Sequence, residues 1–126
     1  SNLKIKYANI RNSQGDCLDL SQGSYSVEFA ILSDCKDKAV SAGEISNLFI
    51  NHIDIQKSFY GLVAKDYSEV KVNKVKIQQT NNCLSVYSKK QEFSGASVLI
   101  NNFHCQSSNS NIDSDAISII KIDEVI

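Results

Sequence analysis

Four positions spaced 22 residues apart, Cys17, Ala39, Gly61 and Cys83, constrain this chain more than any other feature. Each is followed by a large apolar residue: Leu18, Val40, Leu62 and Leu84. Two residues later comes another apolar or small one: Leu20, Ala42, Ala64 and Val86. A fixed period in the twenties marks a solenoid, whose repeats bury their apolar faces only against one another.

Within the period, apolar and polar residues alternate with a spacing of two, and no window sustains the i, i+3, i+4, i+7 pattern of a helix. Asn and Gly punctuate the alternation as turns require, while Pro, Trp and Met are absent. Each repeat reads as three short strands and three turns. GEIS at 43–46 matches KDYS at 65–68, and LFI at 48–50 matches VKV at 70–72. The segments are too short for a sandwich, and no helix separates them as βαβ units require. The expected fold is therefore all-β: a parallel β-helix of about five rungs, with three short parallel sheets around a narrow core.

The predicted inward columns are Leu18/Val40/Leu62/Leu84/Ile117 and Leu20/Ala42/Ala64/Val86/Ile119. Asp19, Ser41, Val63, Ser85 and Ser118 are placed outward between them. Cys17, Ala39, Gly61, Cys83 and Ala116 form a column of small residues, as a strand entering from a tight corner needs. Two irregularities interrupt the period. YSKKQEFSGA at 87–96 reads as an insertion, and the polar stretch 106–114 reads as a loop lengthened by five residues before DAISI at 115–119 restores the pattern.

The 126 residues make one domain, 1–126, by length, with 42% hydrophobic and 21% charged residues. The thirteen Lys and Arg residues against fourteen Asp and Glu leave a net charge of −1, which argues against nucleic acid as a partner. No run of about 18 apolar residues is present, so no membrane-inserted helix is expected. The chain starts and stops inside strand-like sequence without a capping helix, and solenoid ends need covering. It reads as a fragment of a longer protein whose neighbouring domains cover the ends, or as an end-to-end dimer through uncapped rungs. Four cysteines are present. Cys17 and Cys83 share a column three rungs apart, and rungs stack at about 4.8 Å, too far for a disulfide. Cys35 and Cys105 are similarly remote. Cys105 falls in the apolar column of Ile55 and Ile77, so all four are expected as free thiols.

GDCLDLS at 15–21, DKAVSAGE at 37–44, GLVAKDYS at 61–68 and LSVYSKKQEF at 84–93 resemble the right-handed parallel β-helix repeats of the pectate-lyase-like superfamily. The likeness is closest to bacterial surface proteins that carry such a helix beside spore-coat-kinase-like modules. It spans essentially the whole chain. It implies a bacterial cell-surface or secreted location and a polysaccharide as a possible ligand. It implies no particular activity, because the superfamily includes lyases, hydrolases, epimerases and domains without chemistry. Its calcium-binding aspartate cluster and catalytic basic residue do not map onto this sequence.

The residues themselves offer four candidates for chemistry. Glu44 and Asp66 share a column and should stack about 5 Å apart, a separation suited to a retaining glycosidase pair. The favoured reading is that they cap turn amides at the same corner or pair with Lys38 and Lys65, with metal binding as a further alternative. Asp113 and Asp115 are the candidates for calcium, the one cofactor considered, with turn residues as the alternative. His52 and His104 lie more than two rungs apart and form no catalytic pair. Insertions in solenoids project on one side, often the binding side, which makes Tyr60, Tyr87, Lys89, Lys90 and Phe93 candidates for binding a polysaccharide or a protein. The favoured reading is a non-catalytic structural or binding module of a larger protein. The alternative is a polysaccharide lyase or glycoside hydrolase using clustered carboxylates.

Overall fold

The computed structural model describes residues 2–89 and 94–126. These residues contain no helix. Seven strands make up the fold: β1 (Asn2–Ser13), β2 (Leu18–Leu20), β3 (Gly23–Ala42), β4 (Ser46–Lys65), β5 (Glu69–Tyr87), β6 (Ser97–Ser114) and β7 (Ile119–Val125). All pairings are parallel, in the order β1-β3-β4-β5-β6-β7, with β2 also on β3. The chain is a β-solenoid of about five turns of roughly 22 residues, as the period requires.

The strands are longer than expected. Each of β3, β4 and β5 runs for 19 or 20 residues, so hydrogen bonding continues around most of a rung. The bends lie inside the strands, at residues with left-handed backbone. Asn12, Asp34, Lys57 and Gln79, with φ between 54° and 60°, occupy one corner on successive rungs. Gln22, Ile45 and Tyr67, with φ of 50°, 51° and 64°, mark a second. No glycine has positive φ. Asn and Asp adopt this conformation at modest cost, whereas β-branched Ile45 is a genuine outlier.

Register follows the period. Val27, Ile50, Val72 and Ile100 stack in one inward column, and Leu32, Ile55 and Ile77 in another, all at most 2% exposed. Fully burying such a side chain contributes about 1.5–3 kcal/mol. Outside, the same register aligns polar residues. Asn51 Nδ2 donates to Glu28 at 3.1 Å, Asn73 to Asn51 at 3.2 Å, and Asn101 to Asn73 at 3.2 Å. Beside that ladder Tyr7 stacks on Phe29 with ring centroids 5.7 Å apart, and His52 lies tilted against Phe29 at 4.9 Å.

The last rung departs from expectation. Leu84 pairs with Ile112 and Val86 with Ser114, so Ile112, not Ile117, continues that column by register, although at the end of the stack it is 45% exposed. The stretch 106–114 is strand, not a lengthened loop, because Cys105 to Ile112 repeats the spacing of Ile77 to Leu84. Residues 115–118 form the corner, and Ile119 begins β7 opposite Ser97. Ala116 accordingly lies outside the small column. Val63 and Ser85 keep the expected outward side, lining a surface cleft, but they and Ser41 are at most 5% exposed. Lys38, Tyr60, Tyr87 and Asp113 surround Val63 and Ser85 in one cleft.

The small column itself is steric. A Cβ on Gly61 would meet the Cys83 carbonyl oxygen at 2.5 Å and the Ile77 side chain at 3.0 Å. The cysteines are not free. Cys17 bonds Cys35 and Cys83 bonds Cys105, with Cα separations of 5.5 and 6.2 Å. Each bridge joins adjacent rungs across the corner that follows Asn12, Asp34 and Gln79. Comparing cysteines along one column overlooks this, because a bent rung brings two neighbouring columns face to face. The bridges close loops of 18 and 22 residues at the two ends of the stack, where rungs have only one neighbour.

Gly61→Ala is expected to cost about 1–3 kcal/mol by overpacking, read as a lowered midpoint in urea unfolding. Each disulfide is worth about 3 kcal/mol at these loop lengths. Hydrogen exchange after thiol reduction should therefore show β1 and β6 losing protection first, while β4 keeps it.

Candidate functional site

Three outward columns on the last part of each rung converge on one face. Lys38 lies directly opposite Tyr60, and Lys65 directly opposite Tyr87, on neighbouring strands. Val63 and Ser85 form the floor between them. The resulting cleft of about 220 Å³ is lined by Lys38, Tyr60, Val63, Ser85, Tyr87 and Asp113. A second cleft, of about 410 Å³, lies alongside it toward the first rungs and is lined by Asp19, Ser21, Gln22, Gly43, Glu44, Lys65, Asp66 and Lys89. It forms because Ser21 and Gly43 precede Lys65 in that column and leave a trough beneath its side chain.

The charges here are set by their immediate partners. Lys38 Nζ sits 3.0 Å from Asp37, 4.0 Å from Asp16 and 5.9 Å from the centre of the Tyr60 ring. Burial works to lower its pKa, but the Asp37 hydrogen bond and the Asp16 carboxylate outweigh it and hold the ammonium above its ordinary value. Lys65 goes the other way. Burial lowers it, and the neighbouring Lys38 and Lys89 cations add to that against the weaker pull of Asp19 and Asp16. Burial pushes the Tyr87 phenol up; Lys38 opposes this, while Tyr60, Asp66 and Asp37 reinforce it.

The sequence candidates are distributed unevenly over this face. Tyr60 and Tyr87 share the smaller cleft, and Lys89 stands on the rim of the larger one. Lys90 and Phe93 lie outside the described residues. Glu44 and Asp66 do line one cleft. Asp66 is only 1% exposed, and its Oδ1 accepts the Lys89 backbone N–H at 2.7 Å. It therefore anchors the start of the insertion. Asp115 does the same from the equivalent corner two rungs on, accepting the Ser88 N–H at 2.7 Å. Asp113 faces the tyrosine cleft instead. The two aspartates thus have different surroundings, and among the described residues no group of three or more His, Cys, Asp or Glu could hold a metal ion. His52 pairs with Asp54 at 3.3 Å, and His104 Nδ1 lies 3.0 Å from the Ile126 carbonyl oxygen.

Sequence reasoning did not place Lys38 and Lys65 in the site. The signal was present: each stands 22 residues before a tyrosine that was singled out. No family model, curated protein or solved structure matches the chain.

The Ser118 hydroxyl holds the Asp115 carboxyl below its ordinary value; burial opposes this, and the Ser88, Ser118 and Ile117 N–H groups assist. A carboxyl depressed in the folded state stabilises it above the unfolded pKa of about 3.9 and ceases to do so as pH falls through the folded value. Asp115→Asn should melt below wild type at pH 6, and the gap should close on titration toward pH 2, as followed by thermal denaturation.

Proposed function

We propose that this chain is a non-catalytic module of a larger secreted or surface protein, and that its paired clefts contact a polysaccharide. The observation that carries the reading is the Lys38–Tyr60–Tyr87 cleft. Two half-buried aromatic rings and a fixed ammonium flank a small-residue floor, and amphipathic rings beside charged groups suit sugar rings with their apolar faces and hydroxyl edges. The rungs beneath supply rigidity, since Lys38, Tyr60 and Tyr87 each stand on a hydrogen-bonded strand.

The repeat is read as a right-handed β-helix of pectate-lyase-like type, on the motifs quoted above. A bacterial surface or extracellular setting is supported by the two disulfides, which persist in oxidising compartments. Neighbouring domains, or a second copy stacked end to end, are the natural partners of the open edges of β1 and β7. The lyase or hydrolase alternative loses ground at Asp66, whose buried carboxylate already holds a backbone amide of the insertion.

Binding of the purified chain to a glycan array, with and without millimolar calcium, tests this function. Retention by at least one polysaccharide is expected, falling at least tenfold in Tyr87→Ala and Tyr60→Ala, on the basis that a ring contact is worth about 1.5 kcal/mol or more. Absence of binding in both conditions would leave a rigid spacer.

A further inference from the structure

Lys65 and Lys38 are neighbours on one face with opposite surroundings. Lys38 is claimed by two carboxylates. Lys65 forms no ion pair among the described residues, although Asp19 and Glu44 line the same cleft. Its side chain lies along the trough left by Gly43, where a Cβ would come 3.9 Å from its Cε. Tyr87 stands opposite it on the next strand. Half-buried Lys65 thus lines a 410 Å³ cleft together with a second lysine, Lys89, and the carboxylates Asp19, Glu44 and Asp66, while Lys38 stands in the adjoining cleft.

That constellation makes a nucleophile of lysine. Desolvation and adjacent cations favour the neutral amine, and the depressed pKa of Lys65 is the consequence. We propose that Lys65 is a covalent attachment point for small aldehydes entering the larger cleft. The nitrogen lone pair attacks the carbonyl carbon, and the C=O π pair moves to oxygen. The nitrogen gives up its two protons, the oxygen leaves as water, and a C=N bond forms. No oxidant or reductant is consumed. Asp19, exposed on the same cleft, is the group able to carry those protons. This assignment is independent of the polysaccharide reading, because any small aldehyde satisfies it.

The groups that set the reactivity are Lys38, Lys89 and Tyr87 beside the amine, and Asp16, Asp19, Glu44 and Asp66 around the cleft. The test treats the whole chain at pH 7 with glycolaldehyde and cyanoborohydride, which traps the imine as a secondary amine, and maps modified lysines by peptide mass spectrometry. Lys65 is expected to be labelled several-fold faster than the exposed Lys4, Lys6, Lys71 and Lys74, and Lys38 more slowly than Lys65. Lys89→Met, a change at an exposed position, should slow Lys65 labelling at pH 7 and move its rate–pH profile upward. Lys65→Arg should remove the site and leave the circular dichroism spectrum unchanged. Labelling of Lys65 at or below the rate of the exposed lysines, or a rate indifferent to Lys89, overturns the assignment.

Discussion

Everything in this molecule depends on parallel hydrogen bonding from rung to rung, whose register shifts only beside the first corner, between Cys35 and Lys38 and on either side of Thr80. Tyr25 pairs with Leu48, Leu48 with Val70, and Val70 with Val98 without slippage. Since side chains alternate faces along a strand, a one-residue slip would turn the core column outward. The register therefore sorts the sequence twice. Inside, it stacks Val27, Ile50, Val72 and Ile100. Outside, it puts Asn51, Asn73 and Asn101 within donating distance of one another. Neither arrangement exists within one rung, and stability is a property of the stack.

The corners show how a strand ladder bends without glycine. Left-handed residues recur at the same positions on successive rungs, so a backbone conformation is stacked just as a side chain is. Asn12 and Asp34 suit it by chemistry; Lys57, Gln79, Ile45 and Tyr67 adopt it because the hydrogen bonds on both sides hold them there. The disulfides act on the same corner. They tie rung one to rung two and rung four to rung five, leaving the middle of the stack to backbone hydrogen bonds and packing.

The candidate site forms where the regular face is interrupted. Small residues at Ser21 and Gly43 open a trough, and Asp66 and Asp115 hold the backbone N–H groups of Lys89 and Ser88 at its side. Tyr60 and Tyr87 were legible in the sequence as aromatics at the two ends of the repeat's last strand segment, one before Gly61 and one at the start of the insertion. The opposed behaviour of Lys38 and Lys65 was not. It depends on which carboxylates reach which amine, and that is decided by side-chain direction at a corner and not by spacing.

The 22-residue period by itself determined the solenoid, the parallel stacking, the identity of the core columns through the fourth rung and the steric need for Gly61. These follow from periodicity because equivalent positions must superpose. Tertiary structure alone decided the rest. Cys17 met Cys35 and Cys83 met Cys105 because the bend between columns, not the column itself, sets which residues face each other. The fifth rung continued through Ile112, since strand register outweighed the local resemblance of DAISI to earlier repeats. Ser41, Val63 and Ser85 became buried although alternation pointed them outward, because larger neighbours enclose that face. A repeat fixes what lies above and below a residue; what lies beside it across a corner is fixed only when the chain has turned.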